Sequence, residues 1–213
     1  MAHVIVEEDL LDRRFVAEQT DLPLLVRTDT RRFLRESDLE EGGEEDVFHV
    51  FDQASGQILA ATRRSLALDG VEPALEGEYS VETTEGDISV TPVYERLRHR
   101  QTDYPPEVGA RITGTSAATI RDLARRIARA KAATFLTQTS FGKFYHGLEM
   151  ERAQILVLTL CGQIGKKGSG ITGFPYLGLA GTQGLYQAPG YLPPRLGLMK
   201  LGLDNAPAMI RGT

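Results

Sequence analysis

Residues 139–147, with the sequence TSFGKFYHG, combine the kinds of side chain that can bind an anionic ligand. The stretch supplies hydroxyl groups, one lysine, aromatic faces, a histidine and two glycines, at which the backbone can approach a ligand closely. A predicted helix follows at once, and a helix N-terminus favours anionic groups such as phosphate. The pattern therefore predicts a ligand-binding loop, although an ordinary turn between a strand and a helix can have the same composition.

The candidate binding residues in this loop are Thr139, Ser140, Phe141, Gly142, Lys143, Tyr145 and His146. His146 is interpreted as a hydrogen-bonded structural histidine before the helix, with proton transfer as the alternative role. No catalytic set is predicted, because the four histidines lie 46, 50 and 47 residues apart along the chain. No metal site is predicted either, and Cys161 is interpreted as a buried, small apolar residue.

A helix, a strand and a second helix are predicted to position this loop. The first helix carries an apolar stripe at the 3.6-residue helical period, made by Ile120, Leu123, Ala124, Ile127 and Ala128. Thr115 and Ser116 are its candidate N-caps. Residues 132–138 predict a short buried strand, and residues 148–163 predict a helix that is buried on most sides. This order indicates an α/β fold with a Rossmann-like parallel sheet and covering helices.

The glycine-rich segment 162–170, with the sequence GQIGKKGSG, resembles a phosphate-binding loop in its composition. Its spacing matches neither the Walker motif nor G-x-G-x-x-G, and it follows a helix rather than a strand. It is therefore interpreted as a glycine helix stop with a turn. Lys166 and Lys167 remain able to reach a ligand or another domain.

The chain is predicted to have three regions. Residues 1–104 form an N-terminal part with an acidic loop at 40–46 and short strands at 47–51, 57–60, 79–83 and 87–91. A turn at 85–87 joins the last two strands as a β-hairpin. A short helix at 93–100 and a linker at 102–106 lead into the α/β unit, residues 105–173. Residues 174–213 form a tail rich in glycine and proline.

Composition and charge exclude several classes of protein. The net charge of −5 argues against a nucleic-acid partner, and no run approaches the roughly 20 apolar residues of a membrane span. The first residues lack a basic segment followed by an apolar core, so no signal peptide is expected in this chain. A single cysteine provides neither a disulfide framework nor the set of about four thiolates that an iron–sulfur cluster needs.

Several short motifs follow one another in an order and spacing typical of one enzyme family. They are residues 20–26 (TDLPLLV), 73–79 (PALEGEY), 112–114 (ITG), 123–125 (LAR), 152–156 (RAQIL) and 162–168 (GQIGKKG). Over about residues 9–185, the chain resembles the catalytic subunits of molybdopterin oxidoreductases related to dimethyl-sulfoxide reductase. The first motif resembles the branch that contains respiratory nitrate, perchlorate and selenate reductases and ethylbenzene dehydrogenase.

The resemblance implies that the chain is an internal portion of a much larger catalytic subunit. Such a subunit binds molybdenum through bis-molybdopterin guanine dinucleotide and carries out two-electron oxygen-atom transfer or hydroxylation. Residues 105–173 would then be a cofactor-binding unit, with its loop 139–147 cradling the cofactor. Gly181, Thr182 and Gln183 lie where relatives place a second loop near the cofactor.

In this family, the molybdenum ligand and the iron–sulfur cysteines lie upstream of the region that this chain resembles. The implied partners are therefore the remaining domains of the catalytic subunit and an iron–sulfur electron-transfer subunit. The chain alone is expected to be inactive, and the parent enzyme is expected in the cytoplasm or the periplasm. The alternatives are an isolated Rossmann-like nucleotide-binding module and a truncated, non-catalytic remnant.

Overall fold

The part of the chain that the structure describes contains both helices and short strands. This computed structural model describes residues 1–61, 68, 70–137 and 144–172. The helices are α1 (Ala2–Glu7), α2 (Arg13–Gln19), α3 (Glu36–Leu39), α4 (Val93–Gln101), α5 (Pro106–Thr113), α6 (Ala117–Arg129) and α7 (Gly147–Leu160). The strands are β1 (Leu25–Arg27), β2 (Phe48–Asp52), β3 (Gln57–Ala61), β4 (Tyr79–Thr83), β5 (Gly86–Pro92), β6 (Thr134–Leu136) and β7 (Gly170–Thr172).

The strands of the N-terminal part are antiparallel. Strand β5 lies between β1 and β4, while β2 and β3 form a separate hairpin. The four strands predicted in this region are confirmed to within one residue at each end. The hairpin turn lies one residue earlier than predicted, because Thr83 already pairs with Gly86, whose φ of +116° suits glycine.

Arg27 connects three elements of this N-terminal part. Its guanidinium is buried and lies 2.8 Å from Asp29, 2.5 Å from Asp38 and 3.3 Å from Glu85. These contacts join the end of β1 to α3 and to the β4–β5 turn. The hydrogen bond from Arg27 lowers the pKa of Asp29 to about 2, because it stabilises the carboxylate.

A hydrophobic core lies where α1, α6 and α7 pack together. Its buried members are Val4, Ile5, Ala124, Ile127, Val157, Leu158, Leu160 and Cys161. Helix α6 confirms the predicted amphipathic helix, and Ser116 caps it by accepting a hydrogen bond from the Thr119 amide at 3.1 Å. Helix α5, which the sequence did not predict, begins at Pro106. The linker therefore ends one residue before the predicted end at 106.

The predicted burial of α7 and β6 is wrong. Only the C-terminal half of α7 packs into the core, whereas Leu148 is 65% exposed and Met150 and Ile155 are also exposed. Leu136 in β6 is 73% exposed, because β7 is the only strand paired with β6 among the described residues. An apolar composition predicts burial only when neighbouring elements cover both sides. Across the described residues, no helix is both long and apolar enough to cross a membrane.

Acid should weaken the β2–β3 hairpin through Asp52. This buried carboxylate accepts hydrogen bonds from the Ser55 hydroxyl at 2.6 Å, the Glu72 amide at 2.8 Å and the Ser55 amide at 3.0 Å. These bonds lower the pKa of Asp52 from 3.8 to about 2. Because the folded-state pKa is the lower one, this stabilisation is present above about pH 4 and is lost as pH falls towards 2.

We therefore expect Asp52→Asn to reduce the loss of stability between about pH 4 and pH 2. Urea unfolding at several pH values measures this slope. Asp46→Asn, at an exposed position in the acidic loop, is the control and should keep the wild-type slope. Equal slopes for Asp52→Asn and wild type would contradict the assignment.

Candidate functional site

The predicted loop leaves the carboxyl end of a strand in a parallel pair. Strands β6 and β7 run parallel, with Thr134 opposite Gly170 and Leu136 opposite Thr172. The Thr137 amide donates to the Thr172 carbonyl at 2.9 Å, which extends the pairing by one residue. Ligands of open α/β sheets bind beyond this end of the strands. The chain therefore enters segment 138–146 at the position where such a sheet binds its ligands.

Most of the predicted binding residues lie outside the described part of the chain. These are Thr139, Ser140, Phe141, Gly142, Lys143, Gly181, Thr182 and Gln183. Tyr145 and His146 are described, and their ring centroids lie 4.0 Å apart in an edge-to-face arrangement. His146 is the residue before α7, with φ +58°, and its Nδ1 lies 3.7 Å from the Glu149 carboxylate. Its side chain makes no capping hydrogen bond to α7.

Exposed apolar side chains flank this loop in the sequence. Tyr145 is 89% exposed, and Phe144, Leu148 and Leu136 are exposed as well. Aromatic faces of this kind can stack on a planar ring. The Gly147 amide already donates to the Phe144 carbonyl at 3.0 Å, so the amides of Leu148 and Glu149 are the ones that can face an anionic group. Glu149 in the first turn opposes an anion, so a cation such as Lys143 would have to offset it.

The side-chain amide of Gln163 connects the end of α7 to the start of β6. Gln163 is only 1% exposed, and its Nε2 donates to the Ala130 carbonyl at 2.9 Å. Its Oε1 accepts from the Ala133 amide at 3.1 Å. These bonds tie the turn after α7 to the residues that lead into β6. The sequence patterns did not predict this role, although a glutamine two positions after the apolar run 155–161 was a signal for it.

The glycine-rich segment is confirmed as a helix stop. Helix α7 ends at Leu160, and Gly162 has φ +60°. A Cβ atom built on Gly162 would lie 2.3 Å from Asp12 Oδ2, so this position has no room for a side chain. Asp12 also donates its amide to the Leu160 carbonyl at 2.9 Å and lies 3.9 Å from Lys166 Nζ. Contacts with Asp12 therefore fill the space beside Gly162 in this turn.

Cys161 is confirmed as a buried apolar residue. It lies in the core of α1, α6 and α7, and burial raises the pKa of its thiol to about 11. A neutral thiol is a poor metal ligand, because the thiolate is the binding form. Among the described residues, no group of three or more histidine, cysteine, aspartate or glutamate side chains is placed to hold a metal ion.

Comparison with known proteins supports the resemblance found in the motifs. No family model matches the chain. The chain is 40% identical over 174 residues to dimethylsulfide dehydrogenase subunit alpha of Rhodovulum sulfidophilum, which covers 79% of this chain and 19% of that protein. It is 34% identical over 238 aligned positions to perchlorate reductase subunit alpha of Dechloromonas aromatica, covering 99% of this chain and 24% of that protein.

A third relative agrees with these two. Chlorate reductase subunit alpha of Ideonella dechloratans is 39% identical over 177 residues, which cover 80% of this chain and 19% of that protein. The chain thus spans about a fifth to a quarter of the length of the curated relatives it matches. These relatives are catalytic alpha subunits of one molybdopterin enzyme family, so the predicted resemblance is confirmed. The two alternatives, an isolated nucleotide-binding module and a remnant, are not favoured.

Replacing Gln163 should destabilise the protein more than replacing a surface glutamine. Gln163→Leu keeps the approximate size but leaves the Ala130 carbonyl and the Ala133 amide without their partner. We expect the free energy of unfolding to fall by about 1–3 kcal/mol in urea titrations, because two partly buried backbone groups lose their hydrogen-bond partner. Gln19→Leu, at an exposed position in α2, should change it by less than about 0.5 kcal/mol. Equal losses in the two variants would overturn the supporting role of Gln163.

Proposed function

We propose that this chain, which is related by sequence to catalytic alpha subunits of the dimethyl-sulfoxide reductase family, forms a central portion of a molybdopterin-dependent oxidoreductase subunit. In this proposal, the chain helps to bind bis-molybdopterin guanine dinucleotide. The parent subunit then carries out two-electron oxygen-atom transfer or hydroxylation. Molybdenum and the pterin supply the redox chemistry when bound, and this chain supplies position and electrostatics.

The observation that carries the proposal is the parallel β6–β7 pair, whose carboxyl end leads into exposed rings and a helix N-terminus. Phe144 and Tyr145 offer faces on which a guanine or pterin ring can stack. The amides of Leu148 and Glu149 in the first turn of α7, together with Lys143, suit the phosphate groups of a dinucleotide. The residues present therefore fit a planar, phosphate-bearing group. We extend the proposed site to Ser140 and to Gly181, Thr182 and Gln183, which follow β7 in the sequence.

We also propose that β6 and β7 belong to a larger Rossmann-like parallel sheet with covering helices. All-parallel sheets are normally covered on both faces, yet Leu136 is mostly exposed in this chain. The missing strands and helices would come from other parts of the subunit. In this scheme, residues 105–173 are the cofactor-binding unit, with residues 1–104 and 174–213 on either side.

The proposed partners follow from the proposal that the chain is part of a molybdopterin-dependent oxidoreductase subunit. The remaining domains of the catalytic subunit would cover the exposed side of α7 and β6. An iron–sulfur subunit would exchange electrons with the cofactor. Any cluster is assigned to parts outside this chain, since the sequence has one cysteine and a cluster needs about four thiolates.

Cofactor content tests the proposal. The chain would be purified without oxygen from a host that makes molybdopterin, and molybdenum would be measured by mass spectrometry. Pterin would be measured by fluorescence after oxidation. We expect pterin to copurify with the wild-type chain, because the ring faces and the helix N-terminus provide contacts for it. Lys143→Ala and His146→Ala should each lower the pterin content per chain.

Glu82→Gln is the matched control, because Glu82 is exposed on β4 and far along the chain from the loop. It should retain the wild-type pterin content. A wild-type chain without pterin would contradict the proposal. Equal pterin content in the wild type and in both loop variants would show that the loop is not the binding site.

A further inference from the structure

His49 is a buried titratable side chain that the proposed function does not use. It is 6% exposed and lies in β2, opposite Ala60 of β3. Side chains point to alternate faces along a strand, so His49 lies on the same face as Phe51. Phe51 packs against the core of the β1–β5–β4 sheet, which includes Leu25 and Val90. The imidazole ring therefore lies where the β2–β3 hairpin meets the three-stranded sheet.

Isolated bridges, rather than a continuous ladder, connect this hairpin to the other described elements. Leu24 lies opposite Val50, and Arg35 lies opposite Phe48. Because each bridge involves a single pair of residues, side-chain packing on the inner face of the hairpin contributes to its attachment. A change in the charge of a buried side chain on that face would therefore act on a weakly connected unit.

One nitrogen of the His49 ring has no hydrogen-bond partner. Nδ1 is buried, and no acceptor or donor for it lies among the described residues. An imidazolium ring carries a proton on both nitrogens. Protonation of His49 would thus bury a positive charge together with an N–H donor that has no acceptor, and both are costly away from water.

The carboxylates closest to the ring in electrostatic terms are already bonded to other groups. Glu36 and Asp38, both from α3, favour the charged form of His49. Asp38 accepts a hydrogen bond from the buried guanidinium of Arg27 in β1 at 2.5 Å. Glu36 accepts one from the Glu44 amide at 2.9 Å. Neither carboxylate can turn towards an imidazolium without losing one of these bonds.

The other described elements around the ring supply no opposite charge. Strand β3 places Ala60 opposite His49, and β5 contributes apolar side chains such as Ile88 to the adjoining core. Tyr79 of β4 stacks on the neighbouring Phe51, and burial raises the pKa of its hydroxyl, so it stays neutral. Burial lowers the pKa of His49, and this outweighs the opposing effects of the Leu34 backbone, Glu36 and Asp38.

We infer that protonation of His49 controls whether the β2–β3 hairpin stays packed against the three-stranded sheet, with the neutral ring keeping it closed and the charged ring opening it. The pKa of His49 is lower in the closed form than the ordinary value of about 6.5 that it regains on opening. The stabilisation is therefore complete above about pH 6.5 and is lost as pH falls below that value. This window lies above the one in which Asp52 titrates. The inference does not depend on the proposed cofactor function, because the hairpin includes neither the loop 139–147 nor strands β6 and β7.

Amide hydrogen exchange of the whole chain at pH 7 and pH 5 tests the inference. Protection is corrected for the pH dependence of the intrinsic exchange rate. We expect protection of amides in β2 and β3 to fall by about tenfold, because the open hairpin takes up a proton that the closed one does not. Amides in α6 should keep their protection. In the same pH range, the ring protons of His49 should shift in nuclear magnetic resonance spectra.

Two variants make the result specific. His49→Phe keeps a ring but does not titrate, so its hairpin should be equally protected at pH 7 and pH 5. His99→Phe, at an exposed position in α4, is the matched control and should lose protection as the wild type does. If His49→Phe does not fold, the wild type decides, since the loss of protection and the shift of the His49 ring must share one midpoint.

Three results would overturn the inference. The first is equal hairpin protection at pH 7 and pH 5 in the wild type. The second is an equal loss of protection in α6, which would mean that acid unfolds the whole protein. The third is a folded His49→Phe variant that loses hairpin protection as the wild type does, or a wild-type loss whose midpoint differs from that of the His49 ring.

Discussion

The buried side-chain amide of Gln163 is the interaction on which the α/β part of this structure depends. It forms hydrogen bonds with the Ala130 carbonyl and the Ala133 amide, at the two ends of the segment between α6 and β6. These bonds fix the start of the strand relative to the end of α7. Strand β6 can then pair in parallel with β7, and the chain continues from the carboxyl end of β6 into the segment that precedes α7. The Thr134 hydroxyl donates to the Gly168 carbonyl at 2.8 Å and the Gly170 amide donates to the Ala133 carbonyl at 3.0 Å, and these bonds help Gln163 to hold the register of two strands of only three residues each.

The N-terminal residues are part of the same arrangement. Val4 and Ile5 of α1 complete the core formed by α6 and α7, and Asp12 packs against Gly162 at the helix stop. Residues far apart in the sequence therefore stabilise the unit that carries the candidate loop. These contacts lie on the buried side of this unit, while Leu148, Met150 and Ile155 of α7 remain exposed.

Local patterns predicted eight of the fourteen described elements and missed α1, α2, α3, α5, β1 and β7, and they predicted the surroundings of the elements poorly. The stripe from Ile120 to Ala128 and the cap at Ser116 were sufficient to place α6, because helical period and capping are local properties. The exposure of Leu136 and Leu148 was not predictable, since burial depends on which elements lie across from them. The hydrogen bond between His3 and the Gln101 carbonyl at the end of α4 depends on long-range packing, which no spacing in the sequence reveals. Eight of the ten predicted binding residues fall in segments outside the described residues, so their placement remains a prediction.

The central claim is that the loop beyond the β6–β7 pair binds a guanine dinucleotide cofactor, and guanosine diphosphate is the simplest probe of it. The ¹⁵N-labelled chain would be titrated with guanosine diphosphate, with uridine diphosphate as the comparison for the base. The account predicts saturable shifts at the amides of residues 144–149, and tighter binding of the guanine nucleotide, because its larger ring stacks better. Shifts that are absent from these residues, or that occur only elsewhere in the chain, would contradict it.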